Sequence, residues 1–209
     1  MSKGEWMDIS LPLTNHVRTW PGDEPFVFQL SATKEETGSA NIGCLKTSVH
    51  TGTHIDAPFH FEEQGRKVHE LDVNVYVGKA RVIDATGYEM VGREELEKFD
   101  LEGAHRILLK TMEHNQPSVF PAKYTVLRED IGAYLKEKGI VLIGVDCPSV
   151  DPVDSKTLLA HHALHQNGVL ILENVMLDRV EPGDYELIAL PLSIEGADGS
   201  PVRAVIRKL

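Results

Sequence analysis

Residues 50–60 run His-Thr-Gly-Thr-His-Ile-Asp-Ala-Pro-Phe-His, and no other stretch restricts the fold of this 209-residue chain as strongly. Gly52 and Pro58 both oppose a helix, so His50 and His54 are not two ligands stacked on one helical face. In an extended chain His50, His54, Asp56 and His60 share parity and project to the same side. Full extension, however, sets His50 and His54 about 13 Å apart. Zinc binds imidazole nitrogen at about 2.0–2.1 Å, so one ion reaches both only if the chain folds back between them. Gly52 is the residue able to take the dihedrals of such a reversal. Three imidazoles and a carboxylate gathered by an obligatory bend read as a metal site. The HExxH signature is absent, which argues against a helical metalloprotease site.

A second group of such residues lies downstream. The predicted helix Ser155–Gln166 carries His161, His162 and His165, of which His161 and His165 share a face, while at least one of the three decorates the solvated side. Glu173 closes the apolar run Val169-Leu-Ile-Leu. There it is either a buried carboxylate offset by a cation or a solvated strand end. Trp20-Pro-Gly-Asp23 is a turn signal, and composition alone favours Trp20 as core over Trp20 as the wall of a pocket. The segment Asp146-Cys-Pro-Ser-Val-Asp151 follows an apolar strand. Loops at such strand ends border sites, although a capping or turn role suits both aspartates equally.

The rest of the chain frames these groups. Strands are predicted at Trp6–Leu11, Phe26–Ala32, Cys44–Val49, Ala80–Ala85, Arg106–Lys110, Ile140–Val145, Val169–Glu173, Glu186–Leu190 and Val202–Arg207. Helices are predicted at Arg93–Phe99, Leu127–Lys138 and Ser155–Gln166, the last opened by a capping serine. Helix and strand alternate only in the C-terminal half. No linker or repeat divides residues 1–209, so we expect a single mixed α/β domain in which strands outnumber helices. A formal charge of −11 with no basic cluster argues against nucleic acid as a partner. The two cysteines, Cys44 and Cys147, lack the spacing of a redox or metal pair and read as buried small hydrophobes in a reducing compartment. The longest apolar runs are too short to span a bilayer. The start, Met1-Ser-Lys-Gly-Glu-Trp-Met-Asp, has no apolar signal region. A cytoplasmic location with no membrane partner is expected.

Six segments taken in order carry a family likeness: Asp8-Ile-Ser-Leu-Pro-Leu13, Trp20-Pro-Gly-Asp23, His50 through His60, Asp146 through Asp151, His161-His162 and Glu173-Asn174. With them the chain resembles the metal-dependent cyclase-like hydrolases, and within these the bacterial kynurenine formamidases (arylformamidases). The likeness runs over nearly the whole chain. It implies a compact α/β fold around a β-barrel-like core, a homodimer and two zinc ions, with manganese as an alternative. It further implies that His50, His54 and Asp56 hold one ion and that Asp56 bridges to a second held by His161 and Glu173. The double histidine leaves His162 as the alternative to His161. By the same likeness His60 is the general acid/base and Trp20 flanks the ring of a small aromatic formamide. The implied reaction is hydrolysis of N-formyl-L-kynurenine to kynurenine and formate by a metal-activated water. A related amide or lactam hydrolase, of the kind that opens isatin, would use the same chemistry. A protein in which metal only staples the fold would show a coordinatively closed site.

Overall fold

Short apolar segments whose side chains alternate between two faces supply the frame, which the computed structural model describes for residues 4–209. The strands are β1 (Met7–Asp8), β2 (Val27–Ala32), β3 (Ile42–Lys46), β4 (His54–Asp56), β5 (Val77–Asp84), β6 (Met90–Val91), β7 (Arg106–Lys110), β8 (Val126–Leu127), β9 (Leu142–Val145), β10 (Leu170–Glu173), β11 (Gly183–Ile188), β12 (Gly199–Pro201) and β13 (Val205–Lys208). The helices are α1 (Lys34–Thr37), α2 (Arg93–Leu96), α3 (Asp130–Glu137) and α4 (Leu159–Gln166). Nine strands form one sheet in the order β1-β13-β11-β5-β7-β9-β10-β4-β12. Its centre, β5-β7-β9-β10, is parallel, and antiparallel strands flank it on both sides.

The sheet curls. Ser10, just past β1, bridges to Val175, just past β10, and the Met176 amide donates to the Ile9 carbonyl at 2.7 Å. A half-barrel results, in line with the barrel-like core expected. Within β7 the alternation is plain: Ile107 and Leu109 face the helices, while Leu108 faces the opposite core with Val82, Leu142 and Leu172. Ile131 and Leu135 of α3 and Leu164 of α4 complete the helix-side layer. Each such side chain contributes roughly 1.5–3 kcal/mol by leaving water. At Gly144 of β9 a Cβ would come within 2.4 Å of Leu108, so the central strands meet where only hydrogen fits.

Most predicted strands appear with shifted ends, but β4, β12 and the small β6–β8 pair are unforeseen. They are two or three residues long, too short for a periodic pattern. The helix expected from Leu127 starts at Asp130, because Leu127 pairs in β8 with Val91. The expected cap at Ser155 is also corrected. Leu158 sits in the left-handed region at φ 45° and delays α4 to Leu159, while the amides of Ala160 and His161 donate to Asp151. Cys147 is buried as expected, but Cys44 is exposed on β3. Residues 1–3 of the start read as free of a signal lie outside the described residues. No described helix is long and apolar enough to cross a membrane.

Candidate metal centre

Strand β4 makes the eleven-residue stretch into a site by lying between β10 and β12. His54 and Asp56, two apart, share one face, and Glu173 of β10 stands directly opposite His54. The three side chains therefore converge on the helix side of the sheet. Before β4 the chain reverses at Gly52, whose φ is +71° and where a Cβ would lie 2.5 Å from Leu13. That reversal carries His50 back until its ring centroid is 5.2 Å from that of His54. The first turn of α4 adds His161 from above. His54, Asp56, His161 and Glu173 are each at most 3% exposed.

Hydrogen bonds fix which nitrogen of each imidazole looks inward. His54 Nδ1 lies 2.9 Å from the Gly52 carbonyl, which can only accept, so Nδ1 carries the hydrogen. Its Nε2 lone pair then faces Glu173 Oε2 at 3.4 Å and Asp56 Oδ1 at 3.5 Å. His161 Nδ1 donates to Asp151 at 2.6 Å, leaving Nε2 at 3.4 Å from Asp56 Oδ2. Lone pairs aimed at carboxylate oxygens in a buried space repel unless a cation or a proton lies between. Asp56 Oδ2 is itself buried without a hydrogen-bond partner. Two sets, His50/His54/Asp56 and Asp56/His161/Glu173, each hold their donor atoms within 4.8 Å of one another. Imidazoles and carboxylates suit zinc, and Asp56 belongs to both sets, so the residues present fit a pair of ions sharing one carboxylate.

In the metal-free protein protons on His50 and His161 take the place of a cation. Burial works against charge on His50, but the Asp198 and Asp56 carboxylates outweigh it and push its pKa up to about 10. His161 is likewise penalised by burial, yet Asp151, Asp56 and Glu173 push it up to about 10. Asp56, which burial alone would raise, is held well below the carboxylate range by His161 and His50.

His60 sits at the rim with 33% of its side chain exposed, its ring centroid 4.0 Å from that of His50 and the planes tilted by 39°. Beside it opens a cavity of about 260 Å3 whose lining includes Trp20, His54, His161, Pro148, Pro152 and Lys156. Trp20 is half-buried and edge-on to Phe120 at 5.5 Å, so it is a cavity wall and not the core residue that composition favoured. Of the histidines on α4, His161 reaches Asp56, whereas His162 and His165 pack on Phe61 at 5.4 and 5.7 Å. Of the seven residues assigned roles from the sequence, Trp20, His50, His54, His60, His161 and Glu173 line this cavity, and Asp56 lies buried behind them against His50, His54 and His161. Asp151 serves as a cap and also orients His161, and its loop lines the cavity through Pro148 and Pro152. Asp198, 2.9 Å from His50 and 3.3 Å from His60, was missed. An aspartate before glycine is a common turn pair and gave no separate signal.

The family described as "Putative cyclase" matches residues 7–152. A protein named kynurenine formamidase from Bacillus thuringiensis (strain Al Hakam) is 60% identical over 209 residues, covering 100% of both chains. Another of that name, from Bacillus mycoides (strain KBAB4), is 58% identical with the same coverage. Among solved structures, one titled a potential metal-dependent hydrolase with cyclase activity superposes with TM-score 0.84 at 26% identity, covering 98% of each chain. Isatin hydrolase A from Labrenzia aggregata superposes with TM-score 0.82 at 23% identity, covering 98% of this chain and 93% of its own, which is a likeness of fold.

Proposed function

This chain belongs to the cyclase family of metal-dependent hydrolases, and on that premise we propose that it hydrolyses N-formyl-L-kynurenine to L-kynurenine and formate. The observation that carries the reading is the shared cavity, in which the Asp56-centred cluster forms one side and the Trp20 ring another. His50, His54 and Asp56 would hold one zinc, and Asp56, His161 and Glu173 a second, with manganese the alternative occupant. Bound there, the ions supply an acidified water at neutral pH and a Lewis acid for the formyl oxygen.

The chain's own residues do the rest. Trp20 offers an apolar face to the aryl ring. Lys156 and Asp23, both on the lining, carry charges opposite to the carboxylate and ammonium of an amino acid. An aniline nitrogen leaves poorly unless protonated, and His60 stands beside the cluster to deliver that proton. With Nδ1 turned to Asp198, His60 uses Nε2 for the transfer.

We also infer a homodimer. The β2–β3 ribbon exposes Phe28, Leu30, Ile42 and Leu45, an apolar face that a second copy would cover. Two free cysteines, one of them exposed, fit a cytoplasmic location. The deciding assay follows formate release from N-formyl-L-kynurenine by the metal-loaded protein, beside ring opening of isatin. Faster turnover of isatin would reassign the substrate, and no turnover of either would leave a metal-stapled binding protein.

A further inference from the structure

Asp198 precedes β12, and its backbone carbonyl accepts from the Ala57 amide at 2.8 Å, which ties it to the chain just beyond β4. At the next residue, Gly199, a Cβ would lie 2.6 Å from the His50 ring, so only glycine lets this strand come so close. The Asp198 carboxylate is thereby pressed against two imidazoles. Its Oδ2 lies 2.9 Å from His50 Nε2 and 3.3 Å from His60 Nδ1, and both hydrogen bonds of the side chain go to these rings.

We propose that Asp198 is a positioning residue, one carboxylate oxygen setting the tautomer and orientation of His60 and His50 together. A carboxylate only accepts, so the hydrogens sit on His60 Nδ1 and His50 Nε2. His60 is left with Nε2 to exchange protons with the leaving nitrogen. His50 is left with Nδ1, 3.0 Å from Asp56 Oδ1, as the atom that would face a metal in place of the proton it shares with Asp56 in the metal-free protein. When His60 takes up a proton, the adjacent carboxylate stabilises the imidazolium, as in other carboxylate-imidazole pairs. The two ring centroids lie only 4.0 Å apart, tilted by 39°, so turning either ring disturbs the other. Asp198 thus ties the orientation of the acid/base to that of a metal-facing imidazole. This inference rests on the reading of His60 as the acid/base.

The test compares Asp198→Asn, His60→Ala and the double variant, each loaded under excess zinc. Asp198→Asn is expected to take up as much metal as the parent and to lose about 10–100-fold in kcat on N-formyl-L-kynurenine. Its KM should stay within about twofold, because the loss lies in the chemical step and not in binding. With 4-nitrophenyl formate, whose leaving group needs no proton, the loss should be small. In the His60→Ala background the same substitution should cost almost nothing further. An undiminished loss in that background, an equal loss on both substrates, or failure to take up metal would overturn the proposal and leave the role of His60 standing. Full kcat in His60→Ala would instead overturn the acid/base reading itself.

Discussion

Asp56 is the residue whose removal should cost most. Its Oδ1 is 3.0 Å from His50 and 3.5 Å from His54, its Oδ2 is 3.4 Å from His161, and its side chain is 1% exposed. Asp56→Ala deletes the carboxylate common to both donor sets, so neither set keeps three donors. We expect metal content to fall toward zero at both positions and turnover to become negligible. The metal-free fold should suffer as well. With their pKa values pushed up to about 10, His50 and His161 hold protons at pH 6, and truncating one partner of a buried ion pair typically costs about 3–5 kcal/mol. For a domain of this size about 2–4 °C of Tm accompanies each kcal/mol, which gives a fall of about 6–20 °C. Asp56→Asn preserves the volume and should lose less stability while losing the same metal. The assay is elemental analysis per chain beside a thermal melt of the stripped protein. Two ions per chain with ordinary turnover in both variants would refute the bridging role.

Three further outcomes are expected. His60→Ala should keep its metal but lose about 10²–10⁴-fold in rate, most for substrates with poor leaving groups; a metal-free variant would make His60 a ligand. Trp20→Ala should raise KM for the aryl substrate about two- to tenfold, the equivalent of an aromatic contact of about 0.5–1.5 kcal/mol. Its melting temperature should hold, because a half-buried ring is not the core tryptophan whose truncation costs about 3–5 kcal/mol. Finally, the stripped protein should lose stability as pH rises from about 6.5 toward 10. His50 and His161 are raised to about 10 in the fold, and a raised pKa contributes stability that is complete below the unfolded value and lost as pH climbs through the folded one. Metal loading should flatten this slope, since coordination replaces the protons, and melts of both forms across that range check it.

What was legible in the sequence came from residues close together in it. The bend at Gly52 followed from the reach of an extended chain, and the shared face of His54 and Asp56 from strand parity. Glu173 was recognisable because a carboxylate ending an apolar strand demands a partner. Trp20 was misjudged on composition, because a tryptophan on a cavity wall and one in the core leave the same local trace. Asp198 lies 138 residues from His60, and nothing in its own neighbourhood points there. Asp151 supplanted Ser155 as the cap of α4 because Leu158 adopts a left-handed backbone that a serine-based rule does not foresee. The strands missed were those of two or three residues, whose pairing is set by partners distant in the chain.

The register that sets His54 opposite Glu173 also governs when the centre can exist. In a zinc finger the ligands lie near one another along the chain, and ion capture can begin the folding. Here roughly a hundred residues separate Asp56 from His161, and closing a loop of that length must precede any pairing of their side chains. A nascent chain that has reached residues 54–56 still lacks α4 and both strands that β4 pairs with, β10 and β12, so it holds half of a site whose other half is not yet synthesised. Assembly of the cluster is therefore a late event in folding, and the centre becomes competent only once β4 has docked beside β10.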